Sequence, residues 1–252
     1  MKPKKTNNMK KAATILVILL LSNCIYGTSL NSAKYKHYSK NKSQKQQGGV
    51  EFGLTGGVNL ATINGEPIEG STVKMKPGFN VGMLANIGIN KIFSIQPEFL
   101  FTVKGADMNN KAEFVETDDV GDAIVMKVEK NISAKLNYLE LPILAKLQLS
   151  NGLNFYGGPY LSYLISAKIT GSMSLQIDGM PIFQKTFSET STEGLNPVDG
   201  GFVVGAGYKL KNGLGFSVRY TKGLRNLLSE KATDSVTSNA VVAVNINYTF
   251  GK

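Results

Sequence analysis

The sequence predicts an all-β fold: an eight-stranded antiparallel up-and-down transmembrane β-barrel with short periplasmic turns and long extracellular loops. Three observations predict it. From Val50 onward apolar residues recur at every second position almost to the C-terminus, the period of a strand with two unlike faces. Turn signals divide that pattern into eight segments. The connections between segments alternate between tight turns and long polar stretches, the arrangement of an outer-membrane barrel.

A different composition precedes Val50. Lys2, Lys4, Lys5, Lys10 and Lys11 are followed by the apolar run Ala12 to Leu21, too short to cross a bilayer as a helix, which needs about 20 apolar residues. A basic start and a short apolar core make residues 1–27 a secretory signal peptide. Two processing outcomes are open: cleavage after the small residue Gly27, or lipidation at Cys24, because Leu21-Ser22-Asn23-Cys24 loosely resembles a lipobox. Residues 28–49 hold almost no large aliphatics and end in Gly48-Gly49; such a segment cannot bury enough surface to offset chain entropy and reads as a flexible basic linker. The barrel domain occupies residues 50–252.

Charge follows the same division. The chain has 28 Lys+Arg against 18 Asp+Glu, a net of +10. Ten of the lysines precede residue 50 and Glu51 is the first acidic residue, so the barrel itself is neutral. Nucleic-acid binding needs a basic patch on the folded unit, and a leader and linker do not supply one.

The strands alternate as follows. Residues 50 to 62 form the first. The second has Phe79, Val81, Met83, Ala85 and Ile87 on one face and Asn80, Gly82, Leu84 and Asn86 on the other; the third sets Phe93, Ile95, Phe99, Phe101 and Val103 against Ser94, Gln96, Glu98, Thr102 and Lys104. In the fourth, Leu139, Leu141, Ile143, Ala145 and Leu147 oppose Tyr138, Glu140, Lys146 and Gln148. The fifth sets Leu153, Phe155, Leu161, Tyr163, Ile165 and Ile169 against Asn154, Tyr156, Tyr160, Ser162 and Lys168. Phe202 to Leu210, Leu214 to Tyr220 and Ala240 to Phe250 complete the set. The short turns are Asn90-Lys91-Ile92, Ser150-Asn151-Gly152 and Lys211-Asn212-Gly213, two of them with the Asn-Gly pair of tight hairpins. Polar loops are expected over about 63–77, 106–133, 171–198 and 229–238.

Period two does not say which face points inward. A soluble, lipocalin-like periplasmic barrel would enclose the apolar face around a ligand. The opposite arrangement is favoured here. Each apolar face has enough members for a band about 25 Å tall, and the polar face is built of Gly, Asn, Ser and charges of both signs, as a narrow lumen requires. Phe79, Phe93, Tyr208, Tyr220, Tyr248 and Phe250 lie near strand ends, where aromatic girdles sit. Outer-membrane lipids are therefore the first expected partner. Pro97, Pro142 and Pro159 each remove a ladder donor, and bulges are expected to accommodate them.

GLTGGVNLATI (Gly53 to Ile63), LNYLELPILAKLQL (Leu136 to Leu149), NFYGGPYLSYLI (Asn154 to Ile165) and the closing GFVVGAGYKL…INYTF resemble the PorT-like outer-membrane β-barrel family, over about residues 50 to 250. The resemblance implies a barrel in the cell outer membrane and, from the family's namesake, a link to type IX protein secretion. The terminal aromatic of the family is Phe250 here, with Gly251 and Lys252 after it.

For chemistry, the absences weigh most. The only Cys is Cys24 and the only His is His37, so the barrel has no disulfide, no His or Cys metal site and no His-based catalysis. No cofactor is implied and the expected class is not an enzyme. Charges at membrane depth face inward and pair; Glu98, Glu140 and Arg219 lie on the lumen phase and are expected to form a structural charge network, with Arg219 joined to Glu98 or Glu140. The acidic stretch Glu113, Glu116, Asp118, Asp119 and Asp122 lacks the spacing of a calcium loop, and Asp234-Ser235-Val236 resembles a bacterial O-glycosylation pattern. Two functions remain: a barrel presenting loops 106–133 and 171–198 for interaction or adhesion, or a component of a type IX-like secretion or uptake assembly with protein partners in the outer membrane.

Overall fold

A computed structural model describes residues 49–65, 70–117, 123–229 and 237–250. Residues 1–48, which include the expected signal peptide, Cys24, His37 and most of the expected linker, lie outside them. Among the described residues nine strands appear in chain order: β1 (Val50–Asn64), β2 (Ser71–Gly88), β3 (Phe93–Thr117), β4 (Ala123–Gln148), β5 (Leu153–Ile177), β6 (Met180–Thr190), β7 (Val198–Lys209), β8 (Leu214–Gly223) and β9 (Ser238–Phe250). Eight of them close a ring in which every neighbour is antiparallel: β1, β2, β3, β4, β5, β7, β8, β9 and back to β1. The ninth, β6, pairs among the described residues only with the far part of β5.

The three tight turns fall where the sequence places them, and their side chains explain why. Asn90 Oδ1 accepts the amides of Ile92 and Phe93, Asn151 Oδ1 that of Leu153, and Asn212 Oδ1 that of Leu214. Gly152 and Gly213 take φ of 96° and 89°, a region that costs other residues strain. Val50 lies opposite Ile87 and Phe52 opposite Phe250, so the barrel's two ends meet at the short-turn rim.

Period two sorts the faces as expected. Val58, Val218, Val244 and Ile246 point outward and are about half exposed or more, whereas Thr55, Asn59, Glu98, Glu140 and Arg219 are buried inside. Exposed aliphatics in a closed ring are stable only against lipid. Aromatics flank that band: Tyr248 packs edge-on against Phe250 at 5.1 Å near the short turns, and Phe79 meets Phe101 at 5.9 Å near the opposite rim.

Four expectations need correction. The long loops are mostly strand: β3 and β4 pair from Ala106↔Ala134 to Thr117↔Ala123 without a register shift, and Asp178-Gly179 turns β5 tightly into β6, with φ of 49° and 78°. These segments looked like loops because the polarity inverts beyond the lipid band. On β3 the outward phase changes from Phe99 and Phe101 to Asp107, Asn109 and Lys111, and the inward phase from Glu98 and Thr102 to Met108 and Phe114. Second, Pro97, Pro142 and Pro159 carry no bulge. The β3–β4 ladder runs from Pro97↔Ile143 to Leu100↔Glu140, and the β4–β5 ladder from Pro142↔Tyr160 to Ala145↔Gly157, in constant register; pairing is skipped beside each proline rather than shifted. Third, the register shifts fall elsewhere, between Met75 and Asn80, between Asn137 and Tyr138, and between Leu175 and Gln176. Fourth, the shift at Asn137 gives β5 an extra residue and moves Lys168 to the outer face, opposite Lys135.

Candidate functional site

The lumen concentrates the chemistry of this chain, and it is filled. At the short-turn rim Lys209 Nζ donates to Glu51 Oε2 at 2.5 Å. Deeper, Arg219 grips Glu98 with two nitrogens, Nη1 to Oε2 at 2.7 Å and Nη2 to Oε1 at 3.4 Å. This forked geometry gives a strong charge-assisted bond. Gln96 holds the pair in place: its Nε2 donates to Glu98 Oε1 at 2.7 Å while its Oε1 accepts Lys146 Nζ at 3.1 Å. Tyr156 lies beneath the guanidinium at 5.8 Å. It fits because the facing residue is Gly205, where a Cβ would stand 2.5 Å from the Tyr156 ring.

A second layer lies toward the far rim. Lys104 Nζ is 2.5 Å from Glu140 Oε2 and 3.8 Å from Asp199 Oδ2, between the rings of Tyr138 and Tyr160 at 5.1 and 4.7 Å. Tyr160 Oη and Asn239 Nδ2 both donate to Asp199 Oδ2, at 3.1 and 3.0 Å. The named charges balance across the two layers and the rim: Glu51, Glu98, Glu140 and Asp199 against Lys104, Lys146, Lys209 and Arg219. Between the layers, Leu144, Tyr156, Tyr160 and Val203 pack on one wall. On the other wall the side chains of Asn59, Asn80 and Thr102 border a cavity with about 10 Å³ for the centre of a water-sized sphere, scarcely room for one water.

The far rim is capped. Leu227, from the segment after β8, packs on Leu136, Tyr138, Leu164 and Ala167, with Ile63 and Leu195 against the cluster. That segment is tied to residues 194–196: Asn196 Nδ2 donates to the carbonyls of Asn226 and Leu228 at 2.7 and 2.9 Å, and Ser229 N to Gly194 O at 3.0 Å.

Of the network expected from sequence, Arg219 joins Glu98, while Glu140 belongs to the other layer with Lys104. Reasoning from sequence missed Asp199, which borders a stretch read as loop, and did not pair Lys104, although that residue alternates in phase with Glu98. Elsewhere, Glu113 meets Lys127 at 3.4 Å on an exposed face; Asp118, Asp119, Asp122 and Asp234-Ser235-Val236 lie outside the described residues. A lipocalin-like interior is overturned, since the inward phase is charged and the apolar phase faces out.

Fold and lumen together define a transmembrane barrel closed by its own side chains. Residues 42–229 match the outer membrane protein beta-barrel domain family, and the chain belongs to that family; its place is the cell outer membrane. Among solved structures, it is similar to the attachment invasion locus protein Ail of Yersinia pestis, in complex with the heparin analogue sucrose octasulfate. That match has 13% identity, covers 80% of this chain and 99% of the other, and has a TM-score of 0.38. Neisserial surface protein A gives 13% identity, 80% and 99% coverage and a TM-score of 0.36. OprG from Pseudomonas aeruginosa gives 10%, 82% and 98%, and 0.36. Similarity this low carries no argument about function. A search of curated proteins returned no match.

Proposed function

We propose that this is a non-enzymatic surface-interaction barrel, in which the filled lumen is a structural plug and the working surface is the sheet beyond the membrane. One observation carries the reading: β3 and β4 continue as a regular ladder past Gly105↔Lys135 to Thr117↔Ala123. At about 3.3 Å per residue that is a rise of roughly 40 Å along the strands. A chain that only needed to close a plugged barrel has no use for it. The absence of His and Cys after residue 50 supports the non-enzymatic part of the reading.

The secretion or uptake alternative rests on the PorT-like resemblance, whose more specific pieces are the Leu-Pro after Tyr-Leu-Glu and the Gly-Pro-Tyr. Glu140, Pro142 and Tyr160 of those pieces are buried in the lumen wall, which makes them parts of the plug rather than of a docking surface. The test is a chain trimmed of residues 107–132 and 170–191. It is expected to keep heat-modifiable migration, as intact barrels do, while cells carrying it lose attachment to protein-coated surfaces. Unchanged attachment would overturn the reading, and co-purification of an outer-membrane complex with the trimmed chain would favour the assembly.

A further inference from the structure

Above the lipid band β2 to β6 form an open sheet, and β6 is its edge: among the described residues it pairs with β5 alone, and all its residues are exposed. Parity fixes what that edge offers. Ser191 N donates to Ala167 O, and in antiparallel sheet such bonds recur at every second residue. Phe183, Lys185, Phe187 and Glu189, in unbroken register with β5, therefore spend their backbone groups on β5. Gln184, Thr186, Ser188 and Thr190 turn theirs outward. An edge of this kind is a template for another strand.

We infer that β6 takes up an extended segment of another polypeptide as an added antiparallel strand; the inference rests on the surface-interaction reading and names its site and ligand class. In the added pair, Phe183, Lys185, Phe187 and Glu189 occupy the close, non-hydrogen-bonded positions, where directly opposite side chains meet. They select, from the N-terminus of the incoming strand, a basic residue opposite Glu189, an apolar one opposite Phe187, an acidic one opposite Lys185 and an apolar one opposite Phe183, each separated by one residue. Neither Lys185 nor Glu189 has an ion-pair partner among the described residues.

A second copy does not fit. Two copies in one membrane, related by a two-fold axis along its normal, would set their β6 strands parallel and join the apolar face of one sheet to the polar face of the other. Copies in facing membranes could pair antiparallel, with Lys185 opposite Glu189 and Phe187 opposite Phe187. That register leaves only six residues, roughly 20 Å, between the two Thr190 positions near the membranes. Each β3–β4 hairpin rises about twice as far. A free segment has no such clash, and β6's own Lys185-Thr186-Phe187-Ser188-Glu189 meets the first three positions of the rule, with Ser191 falling opposite Phe183 at the fourth.

The experiment uses a fluorescent peptide of residues 183–191 and the full chain in nanodiscs, read by polarisation. Saturable binding is expected. Thr186→Pro removes an outward N–H and spares the β5 ladder, so it should weaken binding at least tenfold while heat-modifiable migration stays intact. The double change Lys185→Glu with Glu189→Lys should lose the native peptide and bind a peptide with the two charges exchanged. No saturable binding, or binding indifferent to both variants, would overturn the inference, as would clustering of proteoliposomes without peptide, which would make a second copy the occupant. If trimming residues 107–132 abolishes surface attachment while Thr186→Pro leaves it unchanged, the surface reading stands and the β6 site falls.

Discussion

Val218 and Arg219 are adjacent in sequence and sit in different solvents. Val218 is 53% exposed on the lipid face, whereas Arg219 is 5% exposed and joined to Glu98. Val218→Arg places a charge near mid-bilayer and should cost about 2–4 kcal/mol. Ser217→Arg, one residue back, enters the lumen beside the cavity at the short-turn rim and should avoid that lipid cost, its own cost coming from crowding and an unbalanced lumen charge. Refolding into bilayers at graded urea measures both; loss of assembly in Ser217→Arg with Val218→Arg tolerated would reverse the faces. Arg219→Ala strands the buried Glu98 carboxylate, and breaking a buried pair in this way costs about 3–5 kcal/mol. Adding Glu98→Gln should recover part of that loss, whereas adding Glu140→Gln should not, because Glu140 answers to Lys104 at 2.5 Å. A denaturation series on the single and double variants decides between the partners.

At the scale of elements, what was legible followed from what the solvent demands. Inside the membrane every strand must be apolar outside and polar inside, so Phe99 and Glu98 announced their faces. Beyond it that demand lapses, and Asp107, Asn109 and Lys111 look like loop although they are paired strand. The Asp178-Gly179 pair carries a hairpin signal as strong as that of the two Asn-Gly turns. Glu98 and Glu140 were both legible as candidate partners of Arg219, and the structure joins Arg219 to Glu98, the one at similar height above a short turn. The Lys104 layer needed ring closure to bring Asp199 of β7 within reach. The extramembrane strands have ties of their own. Lys76 Nζ donates to Asp107 Oδ1 at 2.9 Å and to Ser133 Oγ, and Ser133 Oγ donates to Asp107 Oδ1 at 2.6 Å, linking β2, β3 and β4. Burial pushes the Asp107 carboxyl up, but the bonds from Lys76 and Ser133 outweigh it and hold the group below its ordinary value of 3.8. A carboxyl depressed on folding stabilises above its unfolded value and loses that contribution as pH falls through its folded one. Hydrogen exchange of residues 71–76 should therefore stay slow at pH 5 and accelerate at acidity below the ordinary aspartate range; Asp107→Asn should remove the pH step. A step that survives in Asp107→Asn would place its origin elsewhere.

At the scale of the whole molecule, the interior decides whether the barrel conducts. An eight-stranded ring is only wide enough for side chains, and here three barriers stand in series: the Arg219–Glu98 layer, the Lys104–Glu140–Asp199 layer, and the Leu227 cap. Two cavities among the described residues of the barrel leave about 20 Å³ at the short-turn rim and about 10 Å³ between the layers for the centre of a water-sized sphere, space for isolated waters and not for a hydrated ion. The full chain in planar bilayers should accordingly show no steady open conductance. Arg219→Ala removes one barrier and leaves two, so it too should stay closed at low voltage, although its stability falls. Pairing Arg219→Ala with Lys104→Ala and Leu227→Gly opens all three, and brief openings are expected only in that combination. A steady, ion-selective current from the unaltered chain that vanishes in Arg219→Ala would contradict the plug, because a residue that merely fills space cannot be required for passage.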